Sequence, residues 1–278
     1  MSGKERRFIP GIYNYCDYWC ERCAFTRRCR NFDKARPIDR EGSQDGPAAD
    51  ATCAAFWEGL ADKLRETAIF GREHEWTDNL PEGLDNGPDP EWQTQEDHWH
   101  QKVRQHGLCR LAEEYMQRAD AWLKSADADL KAVAQRLLDA AASPFTREDV
   151  EEEARQIGDM IEVVAWYHTL IPAKIRRAVA GLLRQEEARG RSSALLAESC
   201  LYDANGSGKV ALVAIERSIA AWLRLREILP GHESALLNML ATLDRLRRGL
   251  RSALPSAESF RRPGFDGEPE AVDDEEEH

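Results

Sequence analysis

Four cysteines near the amino terminus are the residues whose types and spacing indicate chemistry most directly. Cys16, Cys20, Cys23 and Cys29 follow the spacing C-x3-C-x2-C-x5-C in the run YCDYWCERCAFTRRC. Four thiolates can bind a tetrahedral zinc ion, at Zn–S distances of about 2.3 Å, or the four irons of a cubane cluster. The spacing therefore predicts a four-cysteine metal site whose cofactor is a [4Fe–4S] cluster or Zn²⁺.

The grouping of the cysteines bears on which metal they bind. Zinc sites usually join two pairs of cysteines across a longer loop, whereas Cys20 and Cys23 lie in the middle of one short run. This crowding favours a cubane, which offers four separate iron corners, and leaves zinc as the alternative. The first three cysteines also have the spacing of radical S-adenosylmethionine enzymes. However, Cys29 would fill the open iron corner, and the sequence shows no alternating strands and helices.

The remaining cysteines and the overall charge indicate the compartment. Cys53, Cys109 and Cys200 are scattered singly, and we expect them to be small buried side chains. The odd total of seven fits a reducing compartment without structural disulfides. The chain begins without a secretory signal, and no run approaches the roughly 18 apolar residues of a membrane span. With a net charge of −12, we expect a cytoplasmic protein without a membrane partner.

The segment that carries the cysteines is basic, unlike the rest of the chain. Residues 1–40 contain ten Lys and Arg and five Asp and Glu, so they carry +5 and leave −17 on the remainder. Aromatic residues are interleaved with these charges: Tyr13, Tyr15, Tyr18, Trp19, Phe25 and Phe32. Such a segment can bind nucleic acid, or its aromatic residues can form the core around a metal. The negative charge of the whole chain favours the second interpretation.

Two polar residues fall on apolar helix faces farther along the chain. His168 lies on the stripe that includes Val164 and Ile171, and Glu216 lies in the run VALVAIERSIAAWL, which predicts a buried helix. A core histidine satisfied by a hydrogen bond, and a carboxylate paired with an arginine of a neighbouring helix, are the structural explanations. Together, His168 and Glu216 are also the candidate catalytic residues of an acid–base or metal site in the bundle core.

The elements that must position these residues are helices. Apolar residues recur every three or four positions from Leu108 to Leu137 and from Val150 to Leu182, and no segment alternates with a period of two. Further helices are predicted to begin at Asp50 and to cover about 208–229 and 232–253. The expected fold is all-α: a helical bundle of about five helices preceded by a small four-cysteine metal-binding segment.

Stretches rich in helix breakers and charge predict the domain boundaries. These are a four-cysteine metal-binding module at 1–34, a linker at 35–49, a helical bundle at 50–254 and a disordered acidic tail at 255–278. Within the bundle, residues 71–90 predict a long loop and Pro172 predicts a kinked helix. The run DANGSGK at 203–209 predicts a turn that caps the following helix.

The function expected from the sequence is metal binding through the four cysteines, and a redox-accessory role is the first hypothesis. A helical-bundle enzyme that uses His168 and Glu216 is one alternative. A zinc-containing adaptor that binds nucleic acid or protein through the basic segment is another. The sequence favours the first hypothesis because four clustered thiols are a more specific signal than two isolated polar residues. It leaves a protein partner open and disfavours nucleic acid.

Overall fold

The computed structural model describes residues 8–35, 90–141, 147–190 and 193–267. Every regular element in these ranges is helical, so the all-α prediction is confirmed there, with seven α-helices instead of about five. Their bounds are α1 Arg30–Ala35, α2 Pro90–Gln105, α3 Gly107–Ser125, α4 Asp127–Ala141, α5 Arg147–Gly190, α6 Ala194–Ile228 and α7 Glu233–Ala253. Short 3-10 helices cover Ile12–Asn14, Cys20–Arg22, Thr26–Arg28 and Pro230–His232.

The chain forms two compact units. One unit comprises Met1–Phe32 and His100–His278, and the other comprises Asp33–Trp99. The described part of the second unit consists of residues 33–35 and 90–99. The cysteine segment thus belongs to the same compact unit as helices α3 to α7.

Helices α5 and α6 form a long antiparallel pair at the centre of the first unit. Gly181 of α5 faces Ala204 of α6, and farther along Tyr167 faces Arg217, so the two helices run in opposite directions. Helix α3 packs against α5 and α7, and α7 packs against α6. Apart from Ile12 of the cysteine segment, the largest fully buried side chains come from these four helices: Tyr115, Tyr167, Ile171, Ile175, Ile215, Trp222, Leu225, Leu236, Met239, Leu243 and Leu246.

The predicted apolar stripes are the buried faces of α3 and α5. Tyr115, Ala119 and Trp122 of α3 are buried at three- and four-residue spacing. The indole N–H of Trp222 donates to the Tyr115 hydroxyl at 3.0 Å, so the polar ends of two buried aromatic side chains satisfy each other. The core is therefore fixed by periodic packing and by a specific hydrogen bond.

The helical region predicted at 91–142 is divided into three helices. The first break lies at His106, whose extended backbone ends α2 and whose Nδ1 accepts from the Leu108 N–H at 3.3 Å. This bond caps α3, because the first N–H groups of a helix have no partner within it. The second break lies at Ala126, after which Asp127 and Asp129 occupy the first turn of α4.

The predicted turn at 203–209 is wrong, because these residues lie inside helix α6 and Asn205–Gly208 are buried. A Cβ at Gly206 would collide with the Tyr15 ring and lie 2.9 Å from Phe260 Cζ. At Gly208 it would lie 3.0 Å from Leu254 Cδ1. The glycines thus permit close packing against α6, and this packing offsets the cost of about 1 kcal/mol of glycine in a helix. Pro172 lies inside helix α5, as predicted, and the kink there stays a prediction.

The prediction of a disordered tail beginning at residue 255 is wrong for residues 255–267. Ala257 is fully buried, and the Phe260 ring lies 4.9 Å from the Tyr15 ring. Phe265 contacts Phe25 at 5.1 Å, and Arg262 pairs with Asp266 at 2.8 Å. Local composition does not reveal these contacts, since Tyr15 and Phe25 lie more than 200 residues earlier in the sequence.

Several predictions lie outside the described residues. These are the linker at 36–49, the helix beginning at Asp50, the loop up to residue 89, the break at Ser143 and Pro144, and the acidic end of the chain at 268–278. Within the described residues, no helix combines the length and the apolar character needed to cross a membrane.

Candidate metal centre

Short 3-10 helices position the four cysteines. Gly11, in the left-handed region at a φ of 71°, precedes the first of these helices. The Cys23 N–H donates to the Cys20 carbonyl at 3.2 Å, and the Cys29 N–H donates to the Thr26 carbonyl at 3.3 Å. Cys20 begins one 3-10 helix, while Cys23 and Cys29 each follow one directly. The thiols therefore project from a backbone that folds back on itself within a few residues.

All four cysteines line one pocket, which is partly open to solvent. Each of them is partly exposed, and none forms a disulfide. Apolar and aromatic side chains complete the wall: Ile12, Tyr13, Tyr18, Trp19, Phe32 and Phe265. Within the described ranges, no group of three or more His, Cys, Asp or Glu side chains is arranged as a ready-made ion site. The thiols thus surround a shared space without closing on a single point.

Burial and nearby charges both change the pKa values of the Cys16 and Cys20 thiols. Burial raises the pKa of the Cys16 thiol, whereas the Tyr18 backbone N–H and the Lys174 ammonium act to lower it. Burial also raises the pKa of the Cys20 thiol, and the neighbouring Cys16, Cys23 and Cys29 add to this effect. Because Cys16, Cys23 and Cys29 all act on its pKa, the Cys20 thiol lies close to the other three thiols. Four thiolates here require a positive charge to stabilise them.

Hydrogen bonds involve two of the sulfurs. The Phe25 N–H donates to Cys23 Sγ at 3.4 Å. The Cys16 thiol donates to the Tyr13 carbonyl at 3.5 Å. Hydrogen bonds to cysteine sulfurs stabilise thiolate charge and tune the potentials of iron–sulfur clusters. The segment therefore supplies at Cys23 a donor of the kind that a negatively charged thiolate centre requires.

Tyr18 lines the pocket and contacts Lys174 of helix α5. Tyr18 has a φ of 57°, a left-handed conformation that non-glycine residues rarely adopt and that costs about 1–2 kcal/mol. The Lys174 Nζ lies 4.7 Å from the centroid of the Tyr18 ring. Lys174 is only 4% exposed, although it carries an ammonium group. The strained residue between the first two cysteines is therefore also the one that contacts Lys174 of helix α5.

Asp17 joins the cysteine segment to helices α5 and α6. Its carboxylate accepts from the Tyr167 hydroxyl at 2.8 Å and from Arg217 Nη1 at 3.1 Å. Its backbone carbonyl accepts from the Trp166 indole N–H at 3.0 Å. The same carboxylate accepts from the Trp19 N–H at 3.3 Å, which closes a local turn. One residue between the first two cysteines therefore connects the pocket to both central helices.

Stacking and ion pairing hold the second half of the cysteine loop on α5. Trp19 stacks on Trp166 with ring centroids 5.4 Å apart and an interplanar angle of 17°. Arg22 covers the Trp19 ring at 4.5 Å and pairs with Asp159 at 2.7 Å and with Glu162. The basic and aromatic residues predicted around the cysteines thus contact the acidic bundle in this part of the structure.

Tyr15 anchors the start of the loop on α6 and on the segment after α7. The Tyr15 ring fills the space over Gly206 and contacts Phe260, and its hydroxyl donates to Asp203 Oδ1 at 3.4 Å. Arg177 of α5 pairs with the same carboxylate at 2.5 Å. Burial and the Asp203 charge raise the pKa of Tyr15 to about 12, so this hydroxyl is a donor at neutral pH.

His168 and Glu216 are each engaged by a different partner. His168 Nδ1 lies 2.8 Å from the Ala165 carbonyl of its own helix, so the ring donates within α5. Glu216 is exposed and pairs with Arg251 of α7 at 3.2 Å. The expectation that Glu216 is buried is wrong, because the buried side of α6 at this level is formed by Ile215 and Ser218. No hydrogen bond joins His168 and Glu216, both of which the structure describes, and their catalytic role stays a prediction.

Sequence reasoning missed the residues that surround the thiols from other elements. Asp17 and Tyr167 are separated by 150 positions, and Lys174 lies farther still from Cys16. The lysine interrupts the apolar stripe of α5 between Ile171 and Ile175, and this interruption is the one signal that could have identified it. Of the singly placed cysteines that the structure describes, Cys109 is buried as predicted and Cys200 is partly exposed.

Comparison with known proteins adds no assignment: no family model, no curated protein and no solved structure matches this chain.

Proposed function

We propose that Cys16, Cys20, Cys23 and Cys29 bind a [4Fe–4S] cluster and that the protein carries electrons as a redox-accessory protein. The observation that carries the proposal is that all four thiols line one pocket. Cys20 and Cys23 flank one short 3-10 helix and Cys29 follows another, so independent structural roles would not require the thiols to meet.

The shape of the pocket supports a cluster more than a single ion. Sulfurs of a tetrahedral zinc site are about 3.8 Å apart, because each lies about 2.3 Å from the ion. A cubane keeps its four cysteines farther apart, since each binds a different iron corner. The four thiols here line the same pocket, yet within the described residues no group of three or more His, Cys, Asp or Glu side chains is arranged to hold one ion. Thiols that share a pocket without meeting at one point suit a cubane better than a single zinc ion.

Charge supports an anionic group in the pocket. Lys174 is 4% exposed, and among the described residues no carboxylate forms an ion pair with it. A buried ammonium is costly unless a negative charge compensates it. A cluster with four thiolate ligands is anionic, and Cys16 is the ligand that is electrostatically coupled to Lys174.

The aromatic residues of the segment support a structural use instead of nucleic-acid binding. Tyr15, Trp19 and Phe25 each pack on another part of the same unit. Rings that stack on bases must be accessible, whereas these rings contact protein. Electron transfer requires only that the cluster lie near the surface, and the partly exposed cysteines satisfy that requirement.

Serine substitution tests the proposal. We expect anaerobically purified full-length protein to be brown, with visible absorption that bleaches on reduction by dithionite. Cys16→Ser, Cys20→Ser, Cys23→Ser and Cys29→Ser each remove one iron ligand, so each should lose most of this absorption. Cys200→Ser is the matched control, since Cys200 lies outside the pocket, and it should retain the spectrum.

Two results would contradict the proposal. Folded, colourless protein that contains one zinc ion per chain would replace the cluster by the zinc alternative. Colour retained in all four serine variants would show that the pocket does not bind the chromophore.

A further inference from the structure

We infer that Lys174 sets the reduction potential of the cluster by placing a fixed positive charge beside its Cys16 ligand. The inference rests on the proposed function and adds a role for a residue of helix α5. Lys174 is not one of the four cysteine ligands, and its proposed action on the cluster is electrostatic.

The placement of Lys174 carries the inference. Its Nζ lies 4.7 Å from the centroid of the Tyr18 ring, and Tyr18 lines the pocket two residues after Cys16. Its side chain is enclosed by the bundle, since Lys174 is 4% exposed and Ile171 and Ile175 beside it are fully buried. Water therefore screens its charge poorly, and the charge acts more strongly on a nearby site than a surface charge does.

Charges of both signs lie near Lys174. Burial lowers the pKa of Lys174 and Arg177 adds to this effect, whereas the nearby Cys16, Asp17 and Asp203 oppose it. Asp17 and Asp203 are already engaged by Arg217 and Arg177. The remaining negative charge close to the ammonium is the thiolate of Cys16, together with the cluster that this thiolate would bind.

The sign of the effect follows from the redox step. One electron from dithionite converts [4Fe–4S]²⁺ to [4Fe–4S]⁺, and dithionite is oxidised while no bond to the protein forms or breaks. Reduction adds one negative charge to the site, so a nearby positive charge stabilises the reduced state. Lys174 therefore raises the reduction potential, because net charge is one of the properties that set the potentials of these clusters.

The test is a potentiometric titration of the full-length, cluster-loaded protein and its variants. Lys174→Met and Lys174→Gln remove the charge, and both should shift the potential to more negative values. Lys174→Arg keeps the charge and should stay close to the parent protein. Arg176→Met is the matched control: it removes a cation two residues away that is exposed and pairs with Glu113, and it should leave the potential unchanged.

Every outcome decides the inference. Equal potentials in the parent, Lys174→Met and Arg176→Met proteins would overturn it, while cluster binding would stand. Loss of the cluster in the Met and Gln variants with retention in Lys174→Arg would support a required charge. Loss of the cluster in all three Lys174 variants would instead assign Lys174 a role in packing. Absence of iron and sulfide from the parent protein would overturn the proposed function itself, and the two failures are therefore distinguishable.

Discussion

At the scale of single residues, the cysteine pocket depends on side chains that bind no metal. Asp17 lies between the first two cysteines and accepts hydrogen bonds from Tyr167, Arg217 and the Trp19 N–H. Bonds to a charged, half-buried carboxylate are worth more than neutral ones, typically about 1.5–3 kcal/mol. The position of Cys16 is therefore determined partly by helices that lie far away in the sequence.

Asp17→Asn tests this role. The substitution keeps the shape but removes the charge that pairs with Arg217, so we expect the free energy of unfolding to fall by about 1–2 kcal/mol. Urea denaturation monitored by circular dichroism measures it. Asp127→Asn is the control, because Asp127 pairs with Lys131 on the exposed surface of α4 and such pairs contribute about 0.5 kcal/mol or less. Equal losses in the two variants would show that Asp17 does not fix the loop.

The predictability of the site differs from residue to residue. The spacing of the four cysteines is local, so the sequence could indicate that they belong together, and the structure gives them one pocket. Lys174 and Tyr167 contact Tyr18 and Asp17 of the cysteine segment only because α5 packs beside it. Such contacts depend on tertiary structure, which the periodicity of a single helix does not specify.

At the scale of elements, the glycines of helix α6 show how packing overrides local preference. The run DANGSGK has the composition of a turn, yet it lies in the middle of a helix of 35 residues. The missing side chains at Gly206 and Gly208 make room for Tyr15, Phe260 and Leu254. Intrinsic preference is a weak prior, and close packing against three other side chains exceeds it here.

Alanine substitution distinguishes glycines that pack from glycines that do not. Gly206→Ala forces a Cβ into the Tyr15 ring, and we expect it to lower the free energy of unfolding by about 1–3 kcal/mol. Gly158→Ala in α5 meets no atom within 4 Å, so it should raise this free energy by up to about 1 kcal/mol. Thermal and urea unfolding of both variants provide the measurement. Stabilisation by Gly206→Ala would contradict the close approach of Tyr15.

At the scale of the whole molecule, residues near both ends of the described chain meet at the pocket. Phe265 lines the pocket and contacts Phe25, while Phe260 packs on Tyr15. The cysteine segment is therefore covered on one side by helices α5 and α6 and on another by residues 255–267. The boundary predicted at residue 255 placed residues 255–267 outside the folded part of the chain, whereas they pack on the cysteine segment. Composition alone does not report contacts between distant segments.

Truncation tests the contribution of this covering segment. A chain that ends at Leu254 loses Phe260 and Phe265, and we expect it to be less stable by at least about 2 kcal/mol and to lose its cluster rapidly in air. A chain that ends at Gly267 keeps the described contacts and is the control. The decay of visible absorption after exposure to oxygen measures the difference. Identical decay in the two chains would show that residues 255–267 do not protect the pocket.

The most direct test of a shared thiol centre is the stoichiometry of metal in protein purified without oxygen. Iron, acid-labile sulfide and zinc are measured per folded chain, together with the electron paramagnetic resonance spectrum after reduction. The account predicts about four iron and about four sulfide per chain, and a reduced spectrum from a [4Fe–4S]⁺ cluster. Folded protein with neither iron nor sulfide would contradict it.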